Sequence, residues 1–340
     1  SLNLTTADGR IVHAVWAQPP RTRADARRAS SPALVDTDDD TGRAVAAASN
    51  AATVTDTDPP TALLFHANAM VLDDMSDWAH FYLSLGFSVL SVTFWGYPDP
   101  AEAHVAFDAS GEQLEEDDGR FCPSERSLYL DAEAALRYLL EVQRQPAERI
   151  VVHGLSIGGA AACALGARHA GLTVTVDQTF ASMRAVSAHV GKGLYEQLVL
   201  PRAHRALRAP LRAMSPCVIA LASRLVSGMS FNGVRSASDT GRDCCCEADG
   251  LDNVRKAARI RGPMFVIYAE HDEMMPTRFA MELLAARYGR DGAEDRRATH
   301  SVCVPGGHCT FFGQMPELAA RYRSFLREEG LLGHGALACP

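Results

Sequence analysis

The stretch Arg149-Ile150-Val151-Val152-His153-Gly154-Leu155-Ser156-Ile157-Gly158 decides how the rest of the chain is read. Its first half is a short apolar run rich in β-branched residues, which predicts a buried strand over Arg149–His153. The second half fits G-x-S-x-G, and the small residues from Gly159 to Ala164 open a helix behind it. A chain that turns from strand to helix this sharply holds the central residue in a strained conformation. Small residues are therefore needed two positions before and two after, and Gly154 and Gly158 supply them. A helix amino terminus directly behind Ser156 also favours negative charge developing there. Ser156 is the candidate nucleophile.

Working outward, further apolar runs predict strands at Ile11–Ala17, Ala62–His66, Ser88–Thr93, Thr173–Val176, Met264–Tyr268 and Ser301–Val304. The central ones are apolar throughout, as expected when helices cover both faces of a mostly parallel sheet. Helical spacing recurs over Leu128–Val142, Ile157–Ala167, Arg278–Arg287 and Glu317–Glu328. This alternation predicts one doubly wound α/β domain over residues 1–340. Segments Arg21–Pro60, Pro98–Gly119 and Ser236–Gly250 lack apolar periodicity and are expected as loop insertions, the first of them disordered. Met183–Phe231 follows a strand without continuing the rhythm, and is expected as a helical cap over the sheet's carboxyl edge.

Composition narrows the partners. A net charge of -8 across 340 residues excludes a general nucleic-acid footprint, although basic residues gather in Arg202–Arg212. The 9 cysteines include the consecutive Cys244–Cys246 but no metal-binding spacing, so neither a metal nor another cofactor is expected. No uncharged apolar run reaches the roughly 18 residues of a membrane span. Because the chain begins at Ser1, membrane association is expected only through an upstream segment.

A serine hydroxyl needs a base, and the base needs an orienting acid. Gly306-Gly307-His308 follows the last predicted strand and makes His308 the candidate base. Asp272 is the candidate acid, with Asp177 as its alternative, and the adjacent Glu270 and Glu273 suit the place less well. Asp272 sits just past Met264–Tyr268 in a turn leading to Pro276, and Asp177 ends the strand at Thr173–Val176. The order Ser156, Asp272, His308 follows the chain order of such triads on strand–helix folds. Tetrahedral intermediates also need backbone donors, for which the amides of Ile157 and Asn68 are the candidates.

With these residues placed, the chain resembles the α/β-hydrolases. Within them it resembles the branch of bud-emergence-type serine hydrolases and alpha/beta-hydrolase-domain proteins thirteen and seventeen. The resemblance rests on His66-Ala67-Asn68-Ala69, Phe81-Tyr82 with Leu85-Gly86, Trp95-Gly96-Tyr97 and Pro123-Ser124-Glu125 with Asp131. The elbow, Thr179-Phe180, Asp272 and Gly307-His308 complete it. It implies an α/β-hydrolase fold and hydrolysis of an ester, thioester or amide, without cofactor, on an acyl-bearing small molecule or a lipidated protein. It also implies that some members are acyl-protein thioesterases and that others are classed as prolyl-oligopeptidase-like peptidases. A non-catalytic binding module is the reading from outside the enzymes. Two departures stand out: Ala67 replaces the branch's usual glycine, and the stretch between Tyr97 and Pro123 is expanded.

Overall fold

The computed structural model describes residues 1–19, 59–97, 124–199, 202, 207 and 250–333. Among these, strands β1 (Leu2–Thr5), β2 (Ile11–Ala17), β3 (Thr61–Phe65), β4 (Ser88–Val92), β5 (Ile150–Leu155), β6 (Thr173–Asp177), β7 (Met264–Ala269) and β8 (Ser301–Val304) form one sheet. Its order is β1-β2-β4-β3-β5-β6-β7-β8. The pairs β1–β2 and β2–β4 are antiparallel, and every other pair is parallel.

Strands β3 to β7 are buried along their whole lengths; β3 and β7 read as near-continuous apolar runs, while β6 sets valine and threonine by turns. Successive residues still serve opposite faces. Leu63 and Phe65 join one apolar cluster with Val152 and Leu165, while Ala62 and Leu64 join the other with Val151 and Phe265. The first cluster receives helices α2 (Glu125–Arg137), α3 (Gly158–Arg168) and α6 (Thr277–Tyr288). The second receives α1 (Ser76–Ser84) and α8 (Pro316–Glu328). Shorter helices lie at α4 (Met183–Leu194), α5 (Asn253–Ala257) and α7 (Arg290–Arg297).

The sheet order changes direction at β3, whose neighbours are β4 on one side and β5 on the other. Loops leaving the carboxyl ends of β3 and β5 therefore diverge and leave a crevice, the usual ligand position in open α/β sheets.

Several expectations need adjustment. Strand β1 is absent from the sequence reading because an edge strand with only Leu4 buried gives almost no apolar signal. Helix α7 buries no side chain, so no periodicity marks it. The helix expected over Leu128–Val142 starts earlier, at Glu125, and its last turn, Tyr138–Val142, is π-helical. Of the expected cap, α4 and the π-helical turn Tyr195–Val199 are described, together with the single residues 202 and 207, and the remainder lies outside the described residues. The insertions at Arg21–Pro60, Pro98–Gly119 and Ser236–Gly250, with Cys244–Cys246, also lie outside them, apart from Pro59, Pro60 and Gly250. Among the described residues, no helix is long and apolar enough to cross a membrane.

Candidate active site

The elbow forms as the glycines require. Ser156 has φ of 52°, a left-handed conformation that costs on the order of 1–3 kcal/mol for a non-glycine residue. It is held there from both sides. Its amide donates to the Asp177 carbonyl at 2.8 Å, and its own carbonyl accepts from Thr179 Oγ1 at 2.6 Å. Space, more than backbone freedom, dictates the flanking glycines. A Cβ on Gly154 would lie 2.1 Å from the Gly158 carbonyl oxygen, and one on Gly158 would lie 2.4 Å from that of Phe65. Both obstacles are backbone and cannot swing away. Gly158→Ala is therefore expected to destabilise the fold by about 1–3 kcal/mol, measurable as a lowered urea midpoint.

His308 reaches Ser156 from the loop after β8. Its Nε2 lies 3.0 Å from Ser156 Oγ and its Nδ1 lies 2.7 Å from Asp272 Oδ2. The carboxylate faces Nδ1, so that nitrogen carries the proton and Nε2 is left to accept from the serine hydroxyl. The other oxygen of Asp272 accepts the amides of Met274 at 3.0 Å and Met275 at 2.8 Å, which fixes the carboxylate plane. A backbone bond from His271 to the Gly306 carbonyl, at 2.9 Å, ties the acid's loop to the histidine's. The Asp272 side chain is 0% exposed and that of His308 is 19% exposed, while Ser156 as a residue is 4% exposed. The relay is closed at the acid and open at the base.

Burial opposes the charged form of His308, but the hydrogen bond to the Asp272 carboxylate works against it, and the imidazole pKa is raised above its ordinary value of 6.5. A base must be neutral to take a proton. If His308 is that base, kcat/KM should fall on acidification at a pH above that ordinary midpoint.

Asp177 is placed elsewhere. Its carboxylate is buried and accepts from Trp78 Nε1 at 2.9 Å and Gln178 Nε2 at 3.0 Å, with His153 Nε2 at 3.2 Å. The structure thus brings Asp272, and not Asp177, onto His308.

The loop after β3 lies against the elbow, because the start of α3 touches the carbonyls of Phe65 and His66 where Gly158 lacks a side chain. His66 is buried, which pushes its pKa down to about 4 and keeps it neutral. Its Nε2 accepts the Phe94 amide at 3.0 Å, so Nδ1 carries the hydrogen and donates to the Ala67 carbonyl at 2.8 Å. In a trans peptide the N–H points opposite to the carbonyl, so the Asn68 amide is turned away from the His66 ring. The Asn68 side chain in turn accepts from Tyr97 Oη at 2.8 Å. Ala67 belongs to the apolar cluster that contains Met75 and Trp78, which gives the extra methyl a place. Ile157, the other candidate donor, caps the amino end of α3.

Ser124, Glu125 and Asp131 serve as scaffolding. Ser124 caps α2 by accepting the Ser127 amide at 3.0 Å. Glu125 accepts from the amides of Gly250 at 3.0 Å and Leu251 at 2.9 Å. Asp131 accepts the Trp95 amide at 2.8 Å and pairs with Arg10 at 3.1 Å. Burial pushes its pKa up to about 7 against the pull of Arg10. Among the described residues, no cluster of His, Cys, Asp and Glu could hold a metal ion.

No family model matches the chain. The bem46 protein of Schizosaccharomyces pombe is 32% identical over 128 residues, which is 37% of this chain and 36% of that protein. The match therefore spans about a third of each. Among solved structures, an esterase from Pyrococcus furiosus superposes with a TM-score of 0.52 at 12% identity, covering 96% of this chain and 91% of that one. A puromycin-hydrolyzing peptidase from Mycobacterium tuberculosis gives 0.51 at 14% identity, covering 97% of this chain and 38% of that one. With its mostly parallel sheet, its strand-to-helix serine turn and these likenesses, the chain has the α/β-hydrolase fold.

Proposed function

We propose that the chain is a serine hydrolase that cleaves an ester, thioester or amide through an acyl-enzyme. The observation that carries this reading is the unbroken relay from Asp272 through His308 to Ser156, ending at a left-handed strand-to-helix serine. In this mechanism Ser156 Oγ attacks the carbonyl carbon as its proton passes to His308 Nε2. The imidazolium is stabilised by Asp272, which stays ionised. The oxyanion is received by the amides of Ile157 and Asn68. His308 then protonates the leaving group; the same nitrogen next deprotonates a water that attacks the acyl carbon, and returns that proton to Ser156 Oγ as the acyl group leaves. Each step uses one proton shuttled on one nitrogen.

The preferred substrate in this reading is an acyl ester or thioester, of a lipid or of a lipidated cysteine on a protein. That preference comes from the resemblance to branch members acting on such groups. Labelling with a fluorophosphonate tests the nucleophile. A panel of p-nitrophenyl esters, acyl thioesters and peptide amides then tests the class. Turnover of the amides above that of the esters and thioesters would give the peptidase reading instead, and no labelling with no turnover would give the non-catalytic module.

A further inference from the structure

Gln178 follows β6 with φ of 47°, a conformation a glutamine rarely adopts unless its surroundings impose it. Its amide nitrogen donates to the Ile267 carbonyl at 2.7 Å, so the kink is anchored to the neighbouring strand β7. The side chain is buried and spends every group it has. Nε2 donates to the Thr310 carbonyl at 2.9 Å and to Asp177 Oδ1 at 3.0 Å, while Oε1 accepts the Thr310 amide at 3.2 Å. A side-chain amide thus pairs with both backbone groups of one residue, as a neighbouring strand would.

Thr310 stands two positions after His308, and the residue between them, Cys309, is itself left-handed at φ of 63°. Such a turn persists only where neighbouring structure holds it. Thr310 Oγ1 also donates back to the Gly307 carbonyl at 2.8 Å, closing the loop around His308. The next residue, Phe311, packs its ring against Trp78 at 4.9 Å, and Trp78 donates to the other oxygen of Asp177. One buried carboxylate therefore anchors both supports of the histidine loop: the Gln178 amide on its backbone and the Trp78 ring on its side chain.

We infer that Gln178 is a positioning residue for His308, locking the Thr310 backbone and so the reach of the imidazole to Ser156, with Asp177 as its anchor. This rests on the serine-hydrolase reading above. No change in chemistry is assigned to Gln178, which touches neither the nucleophile nor the base.

Gln178→Met tests the inference, since it keeps an unbranched side chain of similar length and removes the donor and acceptors. Gln178→Asn is the second variant. It keeps the amide but shortens its reach by one methylene, and asparagine tolerates a left-handed backbone. Both are expected to lower kcat by roughly 10- to 100-fold, as a displaced catalytic group does, with KM changed by less than about threefold. The acidic midpoint of kcat/KM should move down as the Asp272–His308 bond loosens, a shift that a residue serving only stability would not cause. Fluorophosphonate labelling should slow in proportion.

Wild-type kcat and an unmoved midpoint in both variants would overturn the inference. So would loss of the folded state in both, or loss of kcat with the pH midpoint unchanged, since each assigns Gln178 to the core alone. Ser156→Ala run in parallel separates the two levels. If it keeps full activity, the serine-hydrolase reading fails; if it is dead while the Gln178 variants are normal, only this inference fails.

Discussion

Ser156→Ala is expected to abolish fluorophosphonate labelling and to lower hydrolysis by about 10⁴-fold or more, with the fold retained. The substitution removes one oxygen from a site that is nearly closed to solvent. It leaves the Asp177 and Thr179 bonds to the backbone of residue 156 in place. Circular dichroism and the melting temperature should therefore match the parent within a few degrees. Undiminished labelling of the alanine variant would remove Ser156 from the mechanism and, with it, the proposed activity.

Asp272→Asn should produce the next largest loss, roughly 10³–10⁴ in kcat. The asparagine carbonyl can still accept the amides of Met274 and Met275, so the turn survives. Its NH₂ then faces His308 Nδ1 and forces the proton onto Nε2, the nitrogen that must accept from Ser156. The acidic midpoint should fall as well, because a carboxylate that stabilises the imidazolium has gone. Asp177→Asn should cost about tenfold at most, since that residue acts through Gln178 and not on the imidazole. The reverse ranking of the two asparagine variants would place the acid on β6.

Much of this was legible in the sequence where one local rule acts alone. Burial of β3, β5 and β7 shows directly as largely apolar runs, and the need for Gly154 follows from backbone contact with Gly158 within a single turn. Asp272 and His308 were readable from their places after β7 and β8. Chain order and the turn leading to Pro276 favour Asp272 over Asp177, yet only the folded loops show which carboxylate faces the ring.

Gln178 left no signal for the same reason. Its partner Thr310 lies 132 residues along the chain, and a glutamine after a strand belongs to no local pattern. The Ser124–Glu125 and Asp131 pieces were noticed as marks of a branch, yet their work is structural. Glu125 meets Gly250 and Leu251 more than a hundred residues away, a pairing no periodicity can reveal.

That pairing at the first turn of α2 has an evolutionary consequence. The described residues resume at Ser124, the cap of α2, and again at Gly250, held by Glu125 one position after that cap. The two intervening segments thus re-enter at one corner, through a helix cap and a carboxylate. Doubling such a segment costs only about 0.6 kcal/mol in closure entropy. Insertions could accumulate there over generations while the strands and the Ser156–His308 spacing stayed under separate selection. The same corner is where a graft from a relative would be tolerated, provided Ser124 and Glu125 are kept.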